Sequence, residues 1–254
     1  MIALLTTVVA TSFGQKKHYV LVHGAWHGAW CWDHVVPLIK KHSHNVIALD
    51  LPGHGKSMID PSNVGFDDMV NSVTEAALSV SGRVILVGHS SGGVLIAQAS
   101  ERLGKEKVER LVFLDAFMPA NGESVLSLAE KKGDILQSPT VNESMVISTD
   151  QKSATLKTEN VANLFYHDCS EEDIKYAKEN LCATPLAGLA TPVQVSNSVY
   201  GAIPKIYILC TLAKDLGKKR ISENVSCEKI INLESGHSPF FSMPEKLVEI
   251  FISL

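Results

Sequence analysis

A chain of 254 residues, 45% of them hydrophobic and 20% charged, has the ordinary composition of one large α/β domain with a sizeable core. Its formal net charge of −4 gives no sign of a basic footprint, so a nucleic-acid partner is not expected. The sequence has no C-x-x-C motif, the cysteine pair of the common zinc sites, and no glycine-rich phosphate fingerprint, so neither a metal ion nor a cofactor is expected.

The first 14 residues have the pattern of a short signal peptide. An apolar run at residues 2–10 is followed by Ser12 and Gly14, small residues suited to cleavage before Gln15. The run is too short to span a bilayer, and no membrane span is expected. The positive charge expected before the run of a signal peptide is missing. An extra N-terminal strand of the sheet is the alternative, because a strand can also be a short apolar run. We expect export to the periplasm or outside the cell if residues 1–14 are a signal peptide, and a cytoplasmic protein otherwise.

After this segment, continuous apolar runs alternate with helix-period segments. Strands are predicted at residues 18–22, 45–49, 83–87, 110–114, 205–210 and 229–233. Helices are predicted at residues 31–42, 66–80, 93–104 and 244–254. This order is typical of an α/β fold with a mostly parallel sheet and helices on both faces. Function in such sheets gathers at the carboxyl ends of the strands, where His23, Asp50, Ser90 and Asp115 fall.

The alternation stops between residues 119 and 200. This stretch, the cap segment, contains helix-like pieces at residues 123–131 and 170–181, polar loops and no clear strand. We expect a helical cap, or lid, inserted into a core made of residues 15–118 and 201–254. A cap would exclude water and shape an apolar pocket.

A G-x-S-x-G motif, Gly88-His89-Ser90-Ser91-Gly92, lies between the predicted strand 83–87 and the helix that follows. This setting is typical of a nucleophile elbow, in which a strained turn exposes a serine hydroxyl and leaves no room for side chains on the flanking glycines. The helix that follows points free N–H groups at Ser90, so the N–H of Ser91 can hold an oxyanion. Ser90 is the predicted nucleophile.

The predicted general base is His237. Gly236-His237-Ser238 follows the last predicted strand, where a loop can bring an imidazole over Ser90. His89 is interpreted as a packing residue of the elbow. Six further histidines are interpreted as structural or solvated, namely His27, His34, His42, His44, His54 and His167.

Several motifs together carry a resemblance to a known family. They are LVHGAWHGAWCW (residues 21–32), DLPGHG (50–55), GHSSGG (88–93), FLDAFMP (113–119) and YILCT (207–211). They resemble the α/β-hydrolase family of plant methyl esterases and hydroxynitrile lyases with their bacterial relatives, over essentially all of residues 18–254. The resemblance implies an α/β-hydrolase fold. It also implies an oxyanion hole made by the backbone N–H groups of Ala25 and Ser91.

The resemblance favours ester hydrolysis over lyase chemistry. Lyases of the family carry a threonine where this chain has Gly24, and a lysine after the catalytic histidine where this chain has Ser238. That lysine supplies the positive charge that holds the departing cyanide. Both lyase features are absent here.

The third member of a catalytic triad is not settled by the resemblance. The family aspartate follows the strand at residues 207–210, and a gapless match places Ala213 there. Asp215 could serve if the loop bulges. Asp115 ends the preceding strand, at a position that resembles the acid of haloalkane dehalogenases, and it is preferred because Asp215 lies in a loop before Gly217. The absence of any acid is the third alternative.

The sequence therefore predicts a serine carboxylesterase that hydrolyses small apolar esters through an acyl-enzyme on Ser90. Acyl transfer to an acceptor other than water would use the same residues. The alternatives are a non-catalytic protein that binds a small ligand on a hydrolase scaffold, as Ala213 would allow, and, less favoured, a hydroxynitrile lyase. The expected partner is the small ester itself, and a homodimer is compatible with the sequence.

Overall fold

The computed structural model describes residues 16–254, so the signal peptide expected at residues 1–14 lies outside the described residues. Nine strands occur in this part of the chain: β1 (His18–Val22), β2 (Asn45–Ala48), β3 (Val84–His89), β4 (Val108–Leu114), β5 (Met145–Ile147), β6 (Ser153–Leu156), β7 (Thr184–Pro185), β8 (Lys205–Cys210) and β9 (Lys229–Leu233). Six of them form one sheet of order β2-β1-β3-β4-β8-β9, in which every neighbouring pair is parallel. The predicted parallel α/β sheet is confirmed.

Helices flank this sheet. The α-helical segments of the described residues are α1 (Val35–Lys41), α2 (Phe66–Leu78), α3 (Gly92–Leu103), α4 (Val125–Lys132), α5 (Val141–Ser144), α6 (Thr158–Phe165), α7 (Glu171–Asn180), α8 (Ala187–Ala190), α9 (Lys219–Ser222), α10 (Pro239–Ser242) and α11 (Pro244–Ser253). Helix α2 packs against α3, and α1 packs against α11. Within residues 16–254, no helix has both the length and the apolar character that crossing a bilayer requires.

The central strands and their covering helices follow from the apolar pattern. All six residues of β3 are buried, as expected for a strand that is covered on both faces of a parallel sheet. Helix α2 instead buries one stripe, formed by Phe66, Met69, Val70, Val73 and Ala77. At the start of α2, the Asp68 carboxylate accepts a hydrogen bond from the Gly65 N–H at 2.8 Å. This satisfies a backbone donor that has no partner within the helix.

The cap segment differs from the prediction of a purely helical insert. It contains α4 to α8, but also a three-stranded antiparallel sheet of order β5-β6-β7. These strands have only three, four and two residues, which is too short for the alternation of apolar residues to be recognised. The predicted helix at residues 170–181 is present as α7, where the Ser170 hydroxyl accepts the Asp173 N–H at 3.1 Å.

The sheet brings distant parts of the chain to one edge. Because the six strands are parallel, the loops that follow β1, β3, β4, β8 and β9 all leave from their carboxyl ends on the same side. These loops carry residues 23–28, 90–91, 115–118, 211–218 and 234–238. The predicted catalytic and oxyanion residues all lie in these loops.

Candidate active site

Ser90 lies in a sharp turn between β3 and α3, with a left-handed backbone φ of 52°. A Cβ on Gly88 would lie 2.8 Å from the Gly92 carbonyl oxygen, and one on Gly92 would lie 2.7 Å from the His23 carbonyl oxygen. Only glycine fits at either position, as the motif requires. The Ser90 backbone is fixed from both sides, since its N–H donates to Leu114 and its carbonyl accepts the Phe117 N–H at 3.0 Å.

His237 lies in the loop after β9, beside the elbow. Its ring centroid is 4.4 Å from that of His89, and its carbonyl oxygen accepts a hydrogen bond from His89 Nε2 at 2.9 Å. His89 therefore packs in the elbow as predicted, and it also ties the elbow to the His237 backbone. Among the described residues no hydrogen bond joins the Ser90 hydroxyl to the His237 ring. Such bonds are often long in unliganded enzymes and tighten when substrate binds.

Both candidate aspartates lie at the His237 imidazole. Asp115 Oδ2 is 2.6 Å from Nδ1, and Asp215 Oδ1 is 3.4 Å from the same nitrogen. Only Asp115 is within hydrogen-bond distance. The Asp115 side chain is 1% exposed, and its Oδ1 accepts the Cys210 N–H at 3.3 Å. Burial would raise the pKa of Asp115, but the charge of Lys218 and the hydrogen bond from His237 outweigh burial and lower it.

Lys218 is the site residue that sequence reasoning missed. Its ammonium is fully buried, 2.9 Å from Asp115 Oδ2 and 2.6 Å from Asp215 Oδ2. Burial alone would lower the pKa of Lys218, but the two carboxylates more than offset this and raise it. In the sequence this lysine looks like its exposed neighbours Lys219 and Arg220. The only signal is its spacing of three residues from Asp215, which is common on protein surfaces.

Asp115, Asp215 and His237 each bring one potential ligand atom to within 4.8 Å of the others, close enough for a metal site. The Lys218 ammonium, however, already lies within hydrogen-bond distance of both carboxylates. It supplies the positive charge that a metal ion would otherwise bring. The donor set is therefore that of a buried ion cluster.

The two predicted oxyanion donors lie close to Ser90. Within residues 16–254 the backbone N–H groups of Ala25 and Ser91 donate to no acceptor. A Cβ on Gly24 would lie only 2.7 Å from Ser90 Cβ, so the loop after β1 passes directly beside Ser90. Two unpaired N–H groups beside a serine hydroxyl are the arrangement that stabilises a tetrahedral oxyanion.

A buried hydrogen-bond chain connects this loop to the cap segment. His27 Nδ1 donates to the Ala25 carbonyl at 2.7 Å, so its Nε2 is the acceptor for the Tyr166 hydroxyl at 2.5 Å. Burial lowers the pKa of His27 to about 4, so the ring is neutral near pH 7. On the same loop, Trp26 adopts a φ of 65° and donates its indole N–H to Ala154 in the cap segment.

Backbone strain is concentrated at this edge of the sheet. Of the five non-glycine residues with positive φ in the described chain, three lie here: Trp26 at 65°, Ser90 at 52° and Asp115 at 43°. A left-handed conformation is costly for residues other than glycine and persists where the surroundings enforce it. The strain therefore coincides with the predicted nucleophile, the loop of the predicted oxyanion donors and the carboxylate nearest the imidazole.

A cavity of about 550 Å³ opens at Ser90 under the cap segment. Its lining is mostly apolar: Ala25, Trp26, Ser90, Ser91, Phe117, Val125, Leu126, Ala129, Glu130, Gly133, Ile135, Thr140, Val141, Asn142, Met145, Phe165, Leu189, Asp215 and Leu216. This volume is within the range of small-molecule sites. The core supplies the end of the cavity that contains Ser90, and the cap segment supplies most of its apolar wall.

Comparison with known proteins finds relatives in one family of hydrolases. The model of the alpha/beta hydrolase family matches residues 19–250. Methylesterase 9 of Arabidopsis thaliana is 30% identical over 94% of this chain and 98% of its own length, and methyl jasmonate esterase 1 of Vitis vinifera is 29% identical over 91% and 93%. The chain spans only 56–64% of the length of three further Arabidopsis methylesterase relatives.

Among solved structures, polyneuridine aldehyde esterase superposes with a TM-score of 0.84 at 27% identity, covering 94% of this chain and 99% of that one. Methylketone synthase I of tomato, in complex with 2-tridecanone, superposes with a TM-score of 0.82 at 27% identity, covering 94% and 97%. The fold, the elbow and the matched length agree with the resemblance seen in the sequence motifs. The chain belongs to the alpha/beta hydrolase family, in the group that contains the plant methylesterases.

Proposed function

We propose that this protein is a serine carboxylesterase that hydrolyses small apolar esters through an acyl-enzyme on Ser90. One observation carries the proposal: a buried imidazole–carboxylate pair, His237 Nδ1 to Asp115 Oδ2 at 2.6 Å, at the same sheet edge as the strained Ser90 turn. A hydrolase that acts on ester bonds is also supported by the methylesterases among its relatives.

In the proposed reaction, Ser90 Oγ attacks the ester carbonyl while His237 Nε2 takes its proton. Asp115 holds Nδ1 in its protonated form and stabilises the imidazolium that develops. The backbone N–H groups of Ala25 and Ser91 donate to the tetrahedral oxyanion. The tetrahedral species collapses to the acyl-enzyme, and the alcohol leaves with the proton that His237 took. Water then attacks the acyl carbonyl and gives a proton to His237, which returns it to Ser90 Oγ as the carboxylic acid is released.

The cavity supports an ester with an apolar part of moderate size. About 550 Å³ is more than an acetyl group needs, and the lining that includes Ser90 also includes Val125, Val141, Met145 and Leu189. A relative of the same fold holds 2-tridecanone, an apolar chain with one carbonyl. We therefore expect the specificity constant to rise from acetate to longer acyl esters before it falls.

A fluorophosphonate probe and a p-nitrophenyl ester panel test this proposal. Wild type should be labelled and should turn over the esters, and Ser90→Ala should do neither. Asp115→Asn should lose on the order of 10⁴ in kcat, and Asp215→Asn should lose much less. If wild type binds an apolar ligand but shows no labelling and no turnover, the protein is a binding protein on a hydrolase scaffold. A larger loss in Asp215→Asn than in Asp115→Asn would assign the acid to Asp215.

A further inference from the structure

Lys218 is a buried charge that the ester-hydrolysis steps above do not use. Its side chain has no exposed surface, and its ammonium is 2.6 Å from Asp215 Oδ2 and 2.9 Å from Asp115 Oδ2. It also donates to the Leu216 carbonyl at 3.3 Å. Removing an ammonium from water is costly, and such a group persists in a protein interior only when carboxylates and further hydrogen bonds compensate.

The cluster has a defined charge beside the imidazole. Asp115 Oδ2 accepts from His237 Nδ1 and from Lys218 Nζ together, whereas Asp215 faces the ring with its second oxygen at 3.4 Å. Lys218 Nζ is also 3.4 Å from Nδ1, but Nδ1 carries the proton donated to Asp115, so that contact is electrostatic. Two carboxylates and one ammonium leave one net negative charge at the ring.

We propose that Lys218 is a positioning residue for the His237–Asp115 pair. Its ammonium cancels the charge of one of two carboxylates, so that the imidazole faces a single net negative charge, and it holds Asp115 Oδ2 toward Nδ1. The kinetic consequence of this proposal depends on the proposed esterase function. The electrostatic part does not, because it concerns the resting protein.

The other titratable groups around His237 come from three elements. His89 ends β3 and His27 lies in the loop after β1, while His167 and Asp168 follow α6, where Asp168 accepts the Gly236 N–H at 2.6 Å. Burial holds the pKa of His89 well below its usual value, and the neighbouring His237 and His27 lower it further. None of these side chains is replaced in the variants below, but Lys218 also lowers the pKa of His89 and Asp215 raises the pKa of His167. The readout is therefore the titration of the His237 ring itself, resolved from those of its neighbours.

Three variants separate charge from simple loss of structure. Lys218→Met leaves two negative charges at the ring, which favours imidazolium and moves the acid limb of the kcat/KM profile to higher pH by about one unit or more. Asp215→Asn leaves no net charge at the ring and moves the limb to lower pH, while the side chain keeps nearly the same size and shape. The double variant Lys218→Met/Asp215→Asn restores one negative charge, and its limb returns close to that of wild type. Lys219→Met, at an exposed neighbouring lysine, is the matched control and leaves the limb in place.

The same shifts are measured without turnover by following the His237 ring through a pH titration in NMR spectra of isotope-labelled protein. This readout keeps the charge proposal testable if wild type proves to have no esterase activity. Opposite shifts in the two single variants that cancel in the double variant support the proposal. Profiles that differ only in height, with ring titrations that coincide, overturn it. If Lys218→Met does not fold, Asp215→Asn decides alone, and an unmoved or upward-shifted titration refutes the proposal.

Discussion

Gly24→Ala is the most informative single substitution at the site because it adds one methyl group beside Ser90, the proposed nucleophile. The new Cβ would lie 2.7 Å from Ser90 Cβ, 3.1 Å from His89 Nδ1 and 3.3 Å from the His89 carbonyl oxygen. Nonbonded carbon atoms prefer a separation of about 3.5–4.0 Å, so Ser90 or the loop after β1 must move by about 1 Å. No flexible side-chain end is available to absorb this shift, since Ser90 and His89 are held by the elbow.

The expected consequence is large for catalysis and moderate for stability. A displacement of about 1 Å between reacting groups costs on the order of 10²-fold in rate. Overpacking of a tight site lowers the free energy of unfolding by about 1–3 kcal/mol. The N–H of Ala25 follows Gly24 directly, so the same movement also misaligns one oxyanion donor. We therefore expect Gly24→Ala to fold, with a kcat/KM for p-nitrophenyl esters reduced by about two orders of magnitude.

The assay compares kcat/KM and urea unfolding of Gly24→Ala with wild type and with Gly65→Ala. Gly65 has a φ of −87°, and the nearest atom to an added Cβ is the flexible Asp68 carboxylate at 3.3 Å. Gly65 does not line the cavity. That control should keep wild-type activity. Activity of Gly24→Ala within about threefold of wild type, in a folded protein, would refute the close approach of this loop to Ser90.

Three further predictions concern the buried groups and the cavity. Burial lowers the pKa values of His27 and His54 to about 4 from 6.5, so as the pH falls the unfolded chain takes up protons before the folded protein does. Each ring should therefore lower the free energy of unfolding by about 3 kcal/mol as the pH falls from 6.5 to 4. Urea unfolding at several pH values measures this loss, and a flat profile would contradict it. Tyr166→Phe removes the donor to His27 Nε2 and should cost about 1–3 kcal/mol in the same assay, whereas a loss below about 0.5 kcal/mol would argue against a buried bond. Ala129 lines the cavity, so Ala129→Trp should raise the KM for octanoate esters about tenfold or more and leave the KM for acetate esters unchanged. Steady-state kinetics can check this, and equal effects on both esters would place the acyl chain elsewhere.

Much of the core could be predicted from the sequence because its strands are continuous apolar runs. Strands β8 and β9 begin and end at the predicted residues, and β3 and β4 differ by two residues or fewer at each end. Ser90 and His237 were identifiable for a related reason. Ser90 directly follows a recognisable strand, and His237 lies in the short loop after another. The carboxyl ends of parallel strands lie at one edge of the sheet, so such positions come close together.

Two features escaped prediction because their cause is tertiary. The strands of the cap segment are too short to carry a period, and they form only because they pair with each other. Lys218 lies in a run of charged residues, where only the fold determines which lysine turns inward. The sequence left two aspartates open as the partner of His237. The structure brings both to the ring but gives only Asp115 a hydrogen bond to it.

The proposed acid can lie at the end of β4 because β4 and β8 are neighbours. Leu114 pairs with Ile208 across the two parallel strands, and the Asp115 N–H continues the ladder by donating to the Ile208 carbonyl at 2.8 Å. Adjacent strands are about 4.8 Å apart, so a carboxylate just past either end can reach the same imidazole nitrogen. With Ala213 after β8, the sheet edge has no carboxylate at that position. The end of the neighbouring strand β4 can still supply one, as Asp115 does. The proposed reaction needs a buried carboxylate at Nδ1, and the sheet geometry makes the ends of two strands equivalent sources of it.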